Sequence, residues 1–233
     1  MSDLVGVADR KAALRRRILA ARRTIGPERL AQDARLVRDI LRRHLPDLLR
    51  RSARRTDGTV TAYVPVGSEP GGPDLPDALR AALPAGMRLL LPVLRDDLDL
   101  DWAVYERDLV PTRRGLSEPT GPRLGVSAVR RAALLIVPAL AVDPAGVRLG
   151  RGGGSYDRAL ARVESDAEIV ALLHRGELLA EPLPAEPHDR PVTAVIAPDR
   201  GLVHLRPPGA TTRPGAPSRV AGTGAAAPAP GRR

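Results

Sequence analysis

Residues 137–162 read VPALAVDPAGVRLGRGGGSYDRALAR, a stretch that passes from an apolar run through a glycine-rich loop into a helical pattern. The apolar start is typical of a buried strand, and the end of the stretch predicts a helix over residues 156–165. Between them stand four glycines within five positions, with Arg151 among them. Because a strand that leads through a loop into a helix is the building unit of α/β proteins, the stretch indicates an α/β fold.

Apolar runs elsewhere in the chain extend this pattern. Strands are predicted over residues 60–66, 88–94, 100–105, 133–140, 168–174 and 193–198. The runs 133–140 and 168–174 are almost continuously apolar, which suits strands covered on both faces by helices. With a further helix over 74–83, the order of elements predicts a three-layer α/β domain with a mixed, largely parallel sheet flanked by helices.

A pair of amphipathic helices is predicted ahead of the first strand, over residues 9–50. The apolar stripe of the first helix, 9–25, consists of Leu14, Ile18, Ala21 and Ile25. Gly26-Pro27 ends it, and Pro27 suits the first turn of a second helix over 27–50. The apolar face of the second helix consists of Leu30, Ala34, Val37, Leu41, Leu45 and Leu48. The domain is expected to span 1–205, and the Pro-, Ala- and Gly-rich tail 206–233 is expected to be disordered.

The composition is that of a globular protein without membrane or disulfide features. Hydrophobic residues make up 43% of the 233 residues, and charged residues make up 27%. No apolar run approaches the ~20 residues that a membrane-spanning helix needs. The chain has no cysteine, which excludes disulfides, thiolate nucleophiles and cysteine-based zinc sites. Because the start also lacks a long apolar signal region, a cytoplasmic location is expected.

The formal charge of +10 is distributed unevenly along the chain. Residues 1–55 carry 16 basic and 6 acidic side chains, and the tail 206–233 carries five arginines and no acid, which leaves a net charge of −5 for residues 56–205. Aromatic residues, at 2% of the chain, do not accompany the basic ones as stacking platforms would. Most of the positive charge is therefore expected on solvated helix faces, and nucleic acid is not the predicted partner.

The glycine-rich loop has the features of a phosphate site. Glycines let backbone N–H groups converge on an anion because no Cβ blocks the approach, and a helix start lies behind the loop. Arg148 and Arg151 add guanidinium groups that suit phosphate oxygens. The loop is not a Walker A sequence, and Gly150-x-Gly152-x-x-Ser155 lacks the third glycine of a dinucleotide fingerprint. A surface loop with unrelated arginines is the alternative interpretation.

The whole stretch resembles the signature of the 5-formyltetrahydrofolate cyclo-ligase family, also called methenyltetrahydrofolate synthetases. The family pattern is close to VPGLAFDxxGxRLGxGxGYYDxxL, and this chain matches it at Pro138, Leu140, Ala141, Asp143, Gly146, Arg148, Leu149, Gly150, Gly152, Gly154, Tyr156, Asp157 and Leu160. The resemblance continues in order over residues 9–205, through KAALR (11–15), AYVPVGSEPG (62–71), GLSEP (115–119) and LPAEPHDRPVTAVIA (183–197). The tail has no counterpart in the pattern.

The resemblance implies a ligase that forms a C–N bond. Members of the family use ATP and Mg²⁺ to convert 5-formyltetrahydrofolate into 5,10-methenyltetrahydrofolate. Phosphorylation of the formyl oxygen makes it a leaving group, N10 attacks the formyl carbon, and phosphate leaves. Such an enzyme needs a binding site for the triphosphate, a metal ion and a binding site for folate, and it needs no strong protein nucleophile.

The resemblance also implies roles for individual residues. ATP binding is expected at Lys11, Arg15, Arg148, Leu149, Gly150, Arg151, Gly152, Gly153, Gly154, Ser155 and Tyr156. Folate binding is expected at Val64, Glu69, Arg151, Gly152, Gly153, Gly154 and Ser155. Arg148, Arg151 and Tyr156 are the expected catalytic residues, and Asp157 and Asp189 are the expected Mg²⁺ ligands. Lys11 is the only lysine beside 36 arginines, which fits a position that needs a compact ammonium group.

Structural explanations stay open for several of these residues. Asp157 could serve only as an acid at a helix start, and Asp189 could belong to a polar turn. Glu69 and Glu118 could be ordinary loop acids. His44 is expected to be structural, no role is assigned to His174 or His204, and the helix arginines expected in solvent are Arg16, Arg17, Arg22 and Arg23.

The chain departs from the family pattern at Ala133, Val142, Ser155, Thr193 and Ala197-Pro198. Ser155 replaces a tyrosine whose ring could pack against folate. Ala133 and Thr193 replace aspartates, and the loss of these acids is expected to weaken folate or metal binding. These departures leave a second hypothesis open, a non-catalytic nucleotide- or phosphate-binding module whose basic N-terminus and tail contact RNA or another polyanion. The enzyme itself is expected to be a monomer.

Overall fold

A computed structural model describes residues 2–52, 58–112, 115–186 and 189–205. The predicted disorder of residues 206–233 lies outside the described residues. The helices are α1 (Ser2–Arg23), α2 (Pro27–Arg51), α3 (Leu75–Ala82) and α4 (Ser155–Ala161), and a 3-10 helix covers Val126–Arg131. Pro27 stands in the first turn of α2, as predicted from its lack of an N–H group.

A seven-stranded sheet forms the centre of the molecule, in the order β11-β10-β9-β6-β1-β2-β3. Its strands are β1 (Thr59–Thr61), β2 (Arg88–Leu94), β3 (Leu100–Val104), β6 (Leu134–Pro138), β9 (Glu168–Leu172), β10 (Ala194–Ala197) and β11 (Gly201–His204). The strands from β10 to β2 in this order run parallel, and β11 and β3 are antiparallel at the two edges. Two hairpins stand apart from the sheet, β4 (Leu109–Pro111) with β5 (Ser117–Pro119), and β7 (Ala141–Val142) with β8 (Arg148–Leu149).

Helices cover both faces of the sheet, which confirms the predicted α/β architecture. Side chains alternate along a strand, so Leu134 and Ile136 of β6 point to one face and Leu135 and Val137 to the other. On the first face they join the apolar sides of α2 and α3. On the second face they join α4 and the 3-10 helix. The nearly continuous apolar sequence of β6 is the consequence of this double burial.

The structure corrects several details of the predicted elements. The first helix, predicted over 9–25, instead covers Ser2–Arg23. The run 60–66 forms a strand only to Thr61, and the segment beyond it leaves the sheet, where Pro65 has no N–H group for a ladder. The helix predicted over 156–165 is shorter in the structure. Helix α4 ends at Ala161 and is followed by a tight turn, in which Val163 N donates to Leu160 O.

Helix α1 packs at one end of the sheet. Ile18 joins a small apolar cluster with Leu140, Ala141, Leu149 and Leu183. The predicted stripe is only partly correct, because Ala21 is exposed whereas the neighbouring Arg22 is buried. No helix within the described residues is both long enough and apolar enough to cross a membrane.

Strand order creates a crevice at the carboxyl ends of β1 and β6. The chain passes from β1 to β2 on one side and later places β6 on the other side of β1. The loops that follow β1 and β6 therefore leave in opposite directions and open a gap between them. In open α/β sheets this switch point is where ligands bind.

Candidate functional site

A cavity of about 400 Å³ lies at this switch point. Its walls come from the loop after β1 and from the glycine-rich loop that precedes α4. Predicted site residues that line it are Val64, Glu69, Arg148, Gly150, Arg151, Gly152, Gly153, Gly154, Ser155, Tyr156 and Asp157. The volume is in the range of small-molecule sites. The tertiary fold thus brings together two motifs that are about 80 residues apart in sequence.

The glycine-rich loop is shaped by close packing of arginines. Gly152 and Gly154 adopt φ angles of 100° and 70°, which residues with a Cβ rarely adopt. A Cβ on Gly150 would lie 2.8 Å from Nη1 of Arg148. Nε of Arg15, on α1, donates to Gly150 O at 2.9 Å. Two of the predicted phosphate-binding cations therefore touch the loop itself.

Arg148 is held rigidly beneath this loop. Only 4% of its side chain is exposed, although it lines the cavity. Its Nη1 donates to Pro138 O at 3.1 Å, its Nη2 bonds to the Asp157 carboxylate, and its guanidinium carbon lies 5.8 Å from the centre of the Tyr156 ring. The guanidinium is therefore a preorganised positive charge, and its partner is the carboxylate of Asp157.

An ion pair joins the two loops across the cavity. Nη1 of Arg151 lies 3.2 Å from Oε1 of Glu69, and Oε2 of Glu69 accepts a hydrogen bond from Val66 N at 3.0 Å. The Glu69 side chain is only 11% exposed, whereas that of Arg151 is 56% exposed. Glu69 is therefore a fixed carboxylate in the cavity wall, and Arg151 is the more accessible partner.

Tyr156 places a polar group without a protein partner in the wall of the cavity. Its hydroxyl is buried and has no hydrogen-bond partner within the described part of the chain. Burial, assisted by the charge of Glu69, raises the pKa of Tyr156 far above its ordinary value. The group therefore stays protonated at neutral pH, and the hydroxyl itself is buried although Tyr156 lines the cavity.

Lys11 and Asp189 pair with each other outside the residues that line the cavity. Nζ of Lys11 lies 2.8 Å from Oε2 of Glu186 and 2.9 Å from Oδ2 of Asp189. Burial lowers the pKa of Lys11, but the hydrogen bonds to Glu186 and Asp189 outweigh it and raise the pKa overall. Leu149 also stands apart from the cavity lining, since its side chain is buried in the apolar cluster around Ile18.

Sequence reasoning missed a buried ion pair at the cavity, whose arginine, Arg22, is one of the lining residues. Arg22 was predicted in solvent, and this prediction is wrong, since its side chain is 4% exposed. Nε of Arg22 lies 2.7 Å from Oε1 of Glu177, and its Nη2 donates to Oε2 of Glu177 at 2.8 Å and to Ala139 O at 2.6 Å. The only local signal was spacing, because Lys11, Arg15 and Arg22 follow one another on one face of α1.

Other lining residues also escaped the sequence analysis. Tyr63 lines the cavity next to the predicted Val64, and Glu118, considered only as a loop acid, lines it from β5 and accepts a hydrogen bond from Leu94 N at 2.9 Å. An apolar wall is formed by Leu94, Leu100 and Leu116. These leucines resemble any core residue in sequence, so only the fold could reveal them.

The departures from the family pattern lie in different parts of the fold. Ala133 and Thr193 precede β6 and β10, at the amino ends of the strands, so neither replaces an acid of the cavity wall. Thr193 Oγ1 instead bonds to the backbone of Ile169. Val142 is fully buried in β7. Ser155 alone of these four positions lines the cavity.

Comparison with known proteins settles the family. Residues 7–198 match the sequence model of the 5-formyltetrahydrofolate cyclo-ligase family. The chain belongs to this family. A 5-formyltetrahydrofolate cyclo-ligase of Mycolicibacterium smegmatis is 49% identical over 154 residues, which are 64% of this chain and 77% of the relative. The enzyme of that name from Escherichia coli K12 is 36% identical over 121 residues, 50% of this chain and 66% of the relative.

Solved structures agree in fold. A 5,10-methenyltetrahydrofolate synthetase of Aquifex aeolicus has a TM-score of 0.67 at 24% sequence identity, over 90% of this chain and 97% of its own. One from Mycoplasma pneumoniae has a TM-score of 0.60 at 18% identity, over 79% and 96% of the two chains. With the family membership, these findings make the protein a cyclo-ligase, a ligase of folate one-carbon metabolism from a family that uses ATP.

Proposed function

We propose that this cyclo-ligase couples phosphoryl transfer from ATP to ring closure of 5-formyltetrahydrofolate. The formyl oxygen attacks the γ-phosphorus, and the bond to ADP breaks. N10 then attacks the formyl carbon, loses its proton, and the carbon–oxygen bond breaks with release of phosphate. The products are 5,10-methenyltetrahydrofolate, ADP and phosphate. Family membership supports the overall reaction, and the residues of the cavity support binding of a phosphate beside the folate.

The contact between Arg151 and Glu69 is the observation that carries the proposal. It joins the glycine-rich loop, which suits a phosphate, to a buried carboxylate, which suits the N–H groups of a pterin. Phosphoryl transfer to the formyl oxygen requires both substrates in one cavity with the reacting atoms adjacent. A cavity with an anion-binding wall facing a hydrogen-bonding wall fulfils this requirement.

On the ATP side, the proposed ligands are the loop 150–155 and the cations around it. Arg15 and Arg148 are anchored to backbone oxygens, so their charges are in place before phosphate binds. Arg151 is more exposed and is proposed to stay in contact with the phosphoryl group during its transfer. Lys11 is proposed to meet the triphosphate after exchange of its partners Glu186 and Asp189.

On the folate side, the proposed contacts are one carboxylate, one tyrosine and an apolar wall. Glu69 accepts from pterin N–H groups, and Tyr156 contacts the formyl end of the folate. The apolar residues Val64, Leu94, Leu100 and Leu116 pack against the flat rings. Ser155, in place of a tyrosine, leaves more room beside these rings.

The residues present fit a magnesium ion bound mainly by substrate. No group of three or more histidine or acidic side chains within the described ranges could hold a metal by itself. Mg²⁺ commonly takes one or two carboxylates together with phosphate oxygens and water. Asp157, at the cavity wall and 40% exposed, and Asp189, beside Lys11, are the proposed carboxylates. When bound, Mg²⁺ neutralises phosphate charge during transfer.

The test is formation of methenyltetrahydrofolate, followed by its absorbance, from 5-formyltetrahydrofolate and Mg·ATP. Arg15→Ala should lower kcat/KM for ATP by about 10- to 100-fold, since a charged hydrogen-bonding group facing phosphate is lost. The adjacent, exposed Arg16→Ala is the matched control and should behave as wild type. A chelator should stop the reaction. A folded wild-type protein that binds ATP but forms no product would refute the proposed function.

A further inference from the structure

The loop that carries Glu69 lies between two cavities. Residues 67–72, named here the Glu69 loop, connect the end of β1 to α3. A second cavity of about 360 Å³ lies against this loop, and it is also lined by α2 and by His174. Glu69 lines both cavities. The space behind the loop means that packing alone does not hold Glu69 at the folate side.

Side chains from other elements hold the backbone of the loop instead. His174 Nε2 lies 2.6 Å from Ser68 O, the Tyr63 hydroxyl donates to Pro70 O at 2.7 Å, and Arg38 Nη1 donates to Gly71 O at 2.7 Å. Gly67, Gly71 and Gly72 have φ angles of 60°, 92° and 66°. A glycine-rich segment of this kind loses much conformational entropy when it is ordered, so each of these bonds matters.

His174, one member of this set, is itself buried and anchored by a further hydrogen bond. It follows β9, it is 5% exposed, and its backbone N donates to Oε2 of Glu177 at 2.7 Å. The same carboxylate oxygen accepts from Arg22, so His174 is joined through Glu177 to a buried ion pair whose arginine lines the first cavity. Because a carbonyl oxygen only accepts, Nε2 carries the proton that bonds to Ser68 O.

We propose that His174 is a positioning residue for the reduced folate, acting through Ser68 to keep the Glu69 carboxylate in the main cavity. This rests on the proposed function, in which Glu69 binds the pterin. His174 lines the second cavity and is not part of the wall of the main one, so it acts from behind the loop. The ATP-side cations Arg15 and Arg148 are anchored to Gly150 O and Pro138 O, outside the loop. Loss of the His174 bond therefore affects folate more than ATP.

The test compares KM values for the two substrates in His174→Leu and His174→Gln. Leucine keeps bulk but has no donor, and KM for 5-formyltetrahydrofolate should rise about 3- to 10-fold, as expected for loss of one neutral hydrogen bond. KM for ATP should stay within about twofold, since one hydrogen bond outside the ATP-binding groups is changed. Glutamine supplies an N–H donor and should restore most of the folate KM. A merely structural role would change both KM values together or would not be rescued by glutamine.

A second variant keeps the inference testable if His174→Leu does not fold. Arg38→Met removes the bond to Gly71 O from a partly exposed position on α2 and should raise the folate KM in the same selective way. Arg35→Met, on the same wall of the second cavity, is the matched control and should leave both KM values unchanged. If His174→Leu folds and its KM for folate is that of wild type, the inference is overturned. If His174→Leu does not fold, an unchanged KM for folate in Arg38→Met overturns it. A wild-type protein without turnover overturns the proposed function and the inference with it.

Discussion

Single residues of the glycine-rich stretch divide into those that shape the backbone and those that face the cavity. Oδ1 of Asp143 accepts from Ala145 N and Val147 N, both at 2.9 Å, and its Oδ2 accepts from Leu183 N. A Cβ on Gly146 would lie 2.4 Å from Val192 O, so no other residue fits there without a backbone shift. These positions match the family pattern because they build the turn, whereas Arg148 and Tyr156 match it because they line the cavity.

Glu168 is a residue whose burial predicts a pH-dependent stability. It opens β9, it is 7% exposed, and Oε1 lies 3.7 Å from Nε of Arg51 and 3.6 Å from Nδ1 of His204. Burial raises the pKa of Glu168 and outweighs the opposing effects of Arg51 and the hydrogen bond with Thr193. A raised pKa in the folded state means that stability is fully present below the unfolded pKa and is lost as the pH rises through the folded value.

Glu168→Gln should therefore stabilise the protein at neutral pH and have little effect in acid. We expect Tm at pH 7 to rise by about 2–4 °C, which corresponds to ~1 kcal/mol in a domain of this size. The difference should vanish below about pH 4, where glutamate is also neutral in the unfolded chain. Thermal unfolding followed by circular dichroism at both pH values measures it. A lower Tm at pH 7 would show that the pair with Arg51 stabilises more than burial costs.

At the scale of elements, α1 is attached to the sheet by a small apolar face, to which Leu14 and Leu19 also belong, and by a series of cations on one face. Ile18 enters the apolar cluster, Arg15 reaches the glycine-rich loop, and Arg22 reaches the ends of β6 and β9. A helix with so small an apolar face depends on these bonds for its position. The position of α1 in turn determines where the proposed ATP-binding cations stand.

Removal of Arg22 alone should be far more destabilising than removal of the whole ion pair. Arg22→Met leaves Glu177 buried without its partner, and we expect a loss of about 3–5 kcal/mol in the free energy of unfolding. The double variant Arg22→Met/Glu177→Met should recover most of this loss because no buried charge stays unpaired. Denaturant unfolding measures both, with the exposed neighbour Arg23→Met as the control expected within about 0.5 kcal/mol of wild type. Equal stability of the single and double variants would contradict the prediction.

At the scale of the whole molecule, the site is a consequence of strand order. The two loops that bear Glu69 and Arg151 meet because β1 and β6 are neighbours and run parallel. Their carboxyl ends then lie at the same edge of the sheet, and opposite crossovers leave a gap. Most of the proposed site residues lie at this edge, and all of them, from Lys11 to Asp189, precede residue 206 in the sequence.

Deletion of residues 206–233 should leave the cyclo-ligase activity intact. KM for ATP and for 5-formyltetrahydrofolate should both stay within about twofold of the full chain, because no described site residue is removed. Steady-state kinetics of the two proteins measures this, with Arg151→Ala in the full chain as the variant that must lose activity. The alternative polyanion-binding hypothesis instead expects RNA binding that weakens steeply with salt and falls after the deletion.

Local sequence patterns were sufficient for most elements and for the glycine-rich loop, whereas the role of the Glu69 loop was predicted only from the resemblance to the family. Periodicity, Gly26-Pro27 and the glycine-rich stretch act over a few neighbouring residues, so strands such as 88–94 could be predicted without knowledge of the fold. The burial of Arg22 depends on Glu177, which is 155 positions away, and the anchoring of Ser68 depends on His174, which is 106 positions away. Such contacts leave no periodic signal, because an arginine or histidine on a helix or strand end looks the same whether its partner is water or a buried carboxylate. The order of the strands brings these partners together, and it also determines which residues line the cavity.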